Sequence, residues 1–178
     1  YSRPSKRGRI VFGNIVPYDK IWRLGANKNS TIHISEDVYF GKDTVYQGKY
    51  ALFAIPGEQS WELIFYDETS NWGTPDTWNE DKVVCRLKSN VISLKSPLET
   101  MTISIDDIGI KSANLNIKWD QVSVSYPFEL DTKSQVVKSI ESVMSGPSAS
   151  DYYKSAKYYL VEGLDAKKAL VWIAKAIE

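Results

Sequence analysis

The sequence predicts a mainly β chain with an α-helical C-terminal part. An antiparallel β-sandwich or jelly roll is expected over residues 1–127, and three helices over 128–178. Three observations lead there. Short runs in which apolar and polar residues alternate recur as far as Tyr126, separated by Gly, Pro, Asp and Asn. At Pro127 the apolar spacing changes from two to a helical period. The 178 residues are 43% hydrophobic and 25% charged, the balance of a globular chain and not of a disordered one.

Each element has its own signal. Arg9-Ile10-Val11-Phe12 reads as a short strand ended by Gly13. Thr31 to Ser35 alternates, with Ile32 and Ile34 on one face and Thr31, His33 and Ser35 on the other. Lys49 to Ile55 is a continuous apolar stretch stopped by the turn pair Pro56-Gly57, and Trp61 to Tyr66 follows closely enough for a hairpin. The polar stretch from Asp67 through Asp81, bearing Trp72 and Trp78, reads as a long loop, a kind of segment that often carries function. Strands resume at Lys82–Leu87, Met101–Ile105, Ala113–Trp119 and Val122–Tyr126. Many short strands of this kind suit a sandwich or a jelly roll.

In the helical part, Ser134 to Met144 places Val136, Val137, Ile140, Val143 and Met144 on one stripe, ended by Gly146-Pro147. Ser150-Asp151 is expected to cap a second helix carrying Tyr152, Tyr153, Ala156, Tyr159 and Leu160, closed by Gly163. Ala169, Leu170, Ile173, Ala176 and Ile177 mark the third. The spacing Ala156-x-x-Tyr159-x-x-x-Gly163, followed by Ala169-Leu170 and Ala176-Ile177, resembles one tetratricopeptide unit with a linker one residue too long. Such a pair is either a packing appendage or a partner-binding surface. In the second case Tyr152, Tyr159 and Trp172 are the candidate contacts, because repeats of this type hold proteins in their groove.

Composition excludes several function classes. The 22 Lys and Arg balance the 22 Asp and Glu, and the pI is 6.8, so the basic excess that drives nucleic-acid binding is missing. No apolar run approaches the length of a membrane span. With one Cys and one His, neither an intramolecular disulfide nor a structural zinc site is expected, and no metal or cofactor is assigned. Cys85 reads as a small buried hydrophobe and His33 as a surface residue on a wet strand face. The Gly-x-Ser-x-Gly elbow, the P-loop and the Gly-x-Gly-x-x-Gly fingerprint are absent, so no catalytic residue is assigned. The adjacent carboxylates Glu36-Asp37 and Asp106-Asp107 point to opposite faces if they lie in strands. A hydrolase working through carboxylates is the least supported reading and stays open.

Several spaced segments, taken in order, point to a family. They are Ser2-Arg3-Pro4, Gly8-Arg9, Phe12-Gly13, Val16-Pro17-Tyr18, Trp22-Arg23-Leu24-Gly25-Ala26-Asn27, Gly48 to Phe53, Ile55-Pro56-Gly57, Trp61, Asn71-Trp72-Gly73 and Trp119. From Tyr1 to about Tyr126 the chain resembles the bacterial domain-of-unknown-function family numbered 2911. The resemblance implies a secreted, periplasmic or outer-membrane-associated protein of Gram-negative bacteria, with an export signal upstream of Tyr1 and room there for a lipid anchor. It also implies a further strand upstream of Tyr1, and a helical tail is frequent among members. It brings no activity and no catalytic residue.

The segment from Trp22 to Asn27 supports two readings. Trp22, Arg23 and Asn27, with Trp72 and Trp78 of the long loop, would serve as ligand contacts: the rings stack on a sugar while Arg23 and Asn27 hydrogen-bond it. The favoured alternative is a structural corner, in which Trp22 fills the end of the sandwich and Arg23 and Asn27 satisfy loop carbonyls. Residues 1–30 also carry seven basic side chains against Asp19 alone, a local charge of +6 that either faces an anionic surface or is merely solvated. The functional expectation is a non-enzymatic envelope or periplasmic accessory module that binds another envelope protein through its helical tail. A carbohydrate-binding sandwich is the alternative.

Overall fold

In the computed structural model, which describes residues 1–178, the chain separates into two compact units, Tyr1–Asp131 and Thr132–Glu178. The first holds β1 (Ser30–Ile34), β2 (Val38–Phe40), β3 (Asp43–Val45), β4 (Gly48–Pro56), β5 (Ser60–Tyr66), β6 (Val83–Asn90), β7 (Ile92–Asp106) and β8 (Ser112–Leu130). The second holds α1 (Thr132–Met144), α2 (Ala149–Val161) and α3 (Ala166–Ile177). The chain is therefore mainly β with three C-terminal helices.

The strands form two four-stranded antiparallel sheets, ordered β1-β4-β5-β6 and β3-β2-β8-β7. Period-two alternation decides which side chains each sheet buries. Tyr50, Leu52 and Ala54 of β4 and Trp61, Leu63 and Phe65 of β5 join Leu115, Ile117, Trp119, Val124 and Tyr126 of β8 in one cluster. The intervening Ala51, Phe53, Ile64 and Tyr66 are also buried, in a second cluster with Ile21 and Trp78. The Lys49–Ile55 run reads as unbroken apolar sequence because β4 is covered on both faces. The β4–β5 hairpin forms as the sequence predicts, pairing Pro56 with Trp61.

Five elements depart from the sequence reading. Arg9–Phe12 is not a strand. Val16 N–H donates to the Val11 carbonyl at 2.9 Å, and Gly13 N–H to the Val16 carbonyl at 2.9 Å, so the chain folds back on itself there. Val11 and Val16, both fully buried, thereby plug the main core. Strands β2 and β3 went unpredicted because three residues are too few to show alternation. β7 starts at Ile92, nine residues before the predicted start. Register shifts between Ser93 and Leu98 and between Leu98 and Thr102 accommodate Pro97. Finally, β8 is one strand where two are predicted, with a left-handed Asp120 (φ 52°) inside it, and it runs through Pro127 to Leu130. Pro127 lies between the stretch of β8 that pairs with β7, up to Ser123, and the stretch that pairs with β2, at Glu129 and Leu130. Its missing N–H is not needed in either ladder.

In the helical unit, α2 is capped by Ser148, two residues before the expected cap. Its hydroxyl accepts from Asp151 N–H at 3.2 Å, and the Asp151 carboxylate accepts from Ser148 N–H at 3.0 Å, a reciprocal capping box. Those bonds hold the Asp151 carboxyl below its ordinary range. Asp165 caps α3 through the N–H groups of Lys167 and Lys168. α2 and α3 run antiparallel, the start of one beside the end of the other, with Ala156 and Ala169 fully buried in the unit.

Candidate functional site

The segment Trp22–Asn27 is built around hydrogen bonds to its neighbours. Trp22 exchanges both backbone bonds with Ala54 of β4, each 2.8 Å. Its half-buried ring stacks on Trp119 (6.1 Å, 20°) and meets Trp61 edge-on (6.1 Å, 84°), while its indole N–H donates to the Gly25 carbonyl at 3.3 Å. Leu24 is fully buried in a left-handed conformation (φ 50°), and Ser30 donates its hydroxyl to the Leu24 carbonyl at 2.5 Å. Gly25 sits at φ 151°. A β-carbon there would lie 3.0 Å from the Ser2 carbonyl oxygen and 3.2 Å from the Ser30 hydroxyl. Asn27 is left-handed (φ 62°) and exposed.

Arg23 is half-buried, and its Nε is buried without a partner. Its Nη1 lies where a β-carbon on Gly73 would be only 3.2 Å away, so the guanidinium reaches the long loop. Within that loop, Trp78 packs on Tyr66 (4.5 Å) and edge-on to Phe53 (5.3 Å), and donates its indole N–H to Glu80 at 2.9 Å. Arg86 grips Glu80 with bonds of 2.7 Å to both carboxylate oxygens and holds that carboxyl below its ordinary range. Lys82 pairs with Glu68 across the same loop. Trp72 is 73% exposed.

The five candidate ligand contacts are therefore not gathered on one face. Trp22 lies with the main core and Trp78 with the second cluster, on opposite faces of the β4–β5 sheet. Arg23 reaches toward the loop that carries Trp72. Asn27 lines a separate cleft with Ser2, Arg3, Arg7 and Arg9.

Sequence reasoning missed a cavity of about 300 Å³ in the β unit, lined mainly by carbon, with Ile34, Val38, Phe40, Phe65, Leu115 and Phe128 among its walls. Its lining comes from separate strands of both sheets, so no local pattern marks it. No group of three His, Cys, Asp or Glu side chains comes together as a metal site, and no helix is long and apolar enough to cross a membrane. Burial pushes the Cys85 thiol up to about 11, with Asp43 adding to the shift. The thiolate needed for nucleophilic work is scarce at neutral pH.

In the helical unit, the three candidate contacts are half-buried between α2 and α3. Tyr159 meets Trp172 edge-on at 4.8 Å, with the Lys168 ammonium over both rings, and Lys175 lies 5.4 Å from the centre of the Tyr152 ring. The exposed apolar surface lies elsewhere. A cavity of about 400 Å³ is lined by Tyr153 and Ala149 at the start of α2 and by Ile173, Ala176 and Ile177 at the end of α3. Val136, Val137, Ile140, Val143 and Met144 of α1 are all exposed, the last two at 75% and 80%.

The sequence profile of a family described as "Protein of unknown function (DUF2911)" matches residues 1–128, the β unit to within three residues. No curated protein and no solved structure matches the chain significantly.

Proposed function

The chain belongs to the DUF2911 family, and from that premise we propose that it is a non-enzymatic accessory module of the bacterial cell envelope whose helical unit binds a partner protein. The observation that carries this reading is α1. It bears a five-residue apolar stripe and buries none of its residues. A helix of 13 residues has little stability of its own, and in a folded chain such a stripe is ordinarily covered. Leu170 and Ile177 of α3 and Leu160 and Val161 of α2 are exposed as well, and exposed apolar side chains of this kind suit a partner with an apolar face. In this reading Tyr152, Tyr159 and Trp172 fix the α2–α3 seam instead of touching the partner. The small residues Ala156 and Ala169 at that seam support a tetratricopeptide-like pair. The shared core of the two antiparallel sheets supports a β-sandwich of jelly-roll type as the platform.

The test is capture from gently solubilised envelopes by the tagged full chain, beside full-length variants Ile140→Glu and Val143→Glu. The expected result is a stoichiometric protein retained by the parent and lost from both variants. The same set of proteins on parent and variants would overturn the reading.

A further inference from the structure

The N-terminal segment is held against β7 by specific bonds. Tyr1 donates its hydroxyl to the Ile103 carbonyl at 3.1 Å, Met101 N–H reaches the Pro4 carbonyl at 3.0 Å, and Lys6 N–H reaches the Glu99 carbonyl at 2.7 Å. Together with Ala26 and Asn27 it encloses a cleft of about 450 Å³ whose charged lining is Arg3, Arg7 and Arg9.

The state of these arginines is informative. Arg3 donates from Nε to the Met101 carbonyl (3.1 Å) and from Nη2 to the Thr102 hydroxyl (3.0 Å). Arg9 donates from Nε to the Lys6 carbonyl (3.0 Å) and from Nη2 to the Ser5 carbonyl (2.8 Å). Each fork is fixed by neutral acceptors and keeps its full charge and its Nη1 donors. The Arg7 guanidinium has no partner within the chain, and none of the three makes an ion pair. The neighbouring Lys6 is different: Asp120 neutralises it at 2.5 Å. Glu99 is the other carboxylate bonded into the segment. It accepts from the Arg7 backbone N–H at 2.7 Å, which leaves an excess of about two positive charges around the cleft. Asn27, left-handed and exposed, also lines the cleft and carries a neutral amide.

Guanidinium forks already immobilised lose little side-chain entropy when they take a ligand, and their geometry matches tetrahedral and planar oxyanions. Three arginines lining one cleft, with one offsetting carboxylate, suit a dianion better than a single carboxylate. We infer that the cleft between Ser2–Arg9 and Ala26–Asn27 binds a phosphate monoester, held by Arg3, Arg7 and Arg9 with Asn27 as a neutral donor. The site lies in the β unit and is independent of the partner-binding reading for the helices. The phosphate could be carried by a soluble molecule or by a lipid headgroup, and the experiment separates the two.

The full chain would be titrated by calorimetry at constant ionic strength with inorganic phosphate and with glycerol phosphate, and by co-sedimentation with vesicles of phosphatidic acid diluted in phosphatidylcholine. Three variants serve. Arg7→Gln removes a guanidinium that holds nothing inside the fold. Arg9→Lys keeps the charge but loses the fork. Lys88→Gln removes an exposed charge on β6 that does not line the cleft. Saturable binding that falls about tenfold in Arg7→Gln and is unchanged in Lys88→Gln is the expected result, tenfold being the loss of one charge-assisted hydrogen bond. Arg9→Lys should weaken it further than a conserved charge would allow. Saturation with the soluble phosphates assigns a soluble ligand. Saturation only on phosphatidic acid vesicles, with the same variant pattern, assigns a headgroup. No saturable binding to any probe, or equal losses in Arg7→Gln and Lys88→Gln, would overturn the inference.

Discussion

Replacing Gly25 by Ala tests whether the Trp22–Asn27 segment is as tightly constrained as its geometry indicates. Two costs apply. At φ 151° a residue with a β-carbon is strained by about 1–3 kcal/mol. The new carbon would also lie 3.0 Å from the Ser2 carbonyl oxygen, a backbone atom with no rotamer to escape through, and 3.2 Å from the Ser30 hydroxyl. Ser2 is flanked by Tyr1 and Arg3, both bonded to β7, and Ser30 is bonded to the Leu24 carbonyl. Neither neighbour can retreat freely, so overpacking adds about 1–2 kcal/mol. The expected loss is about 2–5 kcal/mol. Gly8→Ala is the internal control, because Gly8 is also left-handed (φ 72°) but a β-carbon there would meet nothing within 4 Å. It should cost about 1–2 kcal/mol from backbone strain alone. Urea unfolding followed by near-ultraviolet dichroism of the core tryptophans would measure both. Equal midpoints for the two variants would refute the reasoning, since they would show that Ser2 and Ser30 yield without cost.

Three further outcomes follow from the same geometry. Trp22→Ala should destabilise the β unit by about 3 kcal/mol through the lost contacts with Trp61 and Trp119, while Trp72→Ala should change it by less than about 0.5 kcal/mol, both read by urea unfolding. The Cys85 thiol has a folded pKa of about 11 against an ordinary 9.0, so the unfolded chain releases that proton first as pH rises. Stability should fall between about pH 9 and 11, and Cys85→Ala should remove that part of the fall. The raised Tyr126 hydroxyl acts in the same direction from about pH 10 upward, and that part of the fall should remain in Cys85→Ala. Ala156→Leu should overpack the α2–α3 seam at a fully buried position and cost about 1–3 kcal/mol, seen as loss of helical far-ultraviolet dichroism with the tryptophan signals of the β unit retained.

The fold was legible wherever burial imposed a period. Leu115, Ile117 and Trp119 alternate because β8 turns one face to the core, and Ala156 and Tyr159 keep helical spacing because α2 packs along one side. It was illegible wherever hydrogen bonding, and not burial, sets the backbone. The stretch Ile92–Thr100 joins β7 by pairing with β8 through bulges around a proline, and most of its side chains stay exposed, so it has no period to read. Arg9–Phe12 shows the converse. Its apolar residues are genuine, but Val11 is spent as a plug in a chain reversal that only the tertiary bonds to Val16 reveal.

The candidate sites divide along the same line. The unusual composition of Trp22–Asn27 marks it as constrained, and the constraint is visible in the structure as the bonds of Trp22 to Gly25 and of Ser30 to Leu24 and a buried left-handed leucine. What composition could not separate is a side chain needed by the fold from one offered to a ligand, because both demand a specific residue. The arginines show how that distinction is drawn. The excess charge of residues 1–30 is a sum over side chains that do different things. Lys6 is neutralised by Asp120, and Arg23 is half-buried beside Gly73, whereas Arg3, Arg7 and Arg9 line one cleft with no carboxylate on their guanidiniums. A charge that the fold consumes has a counter-ion, as Lys6 has in Asp120, or is partly buried, as Arg23 is. Three that line a common cleft and have none are the ones free to meet an anion from outside.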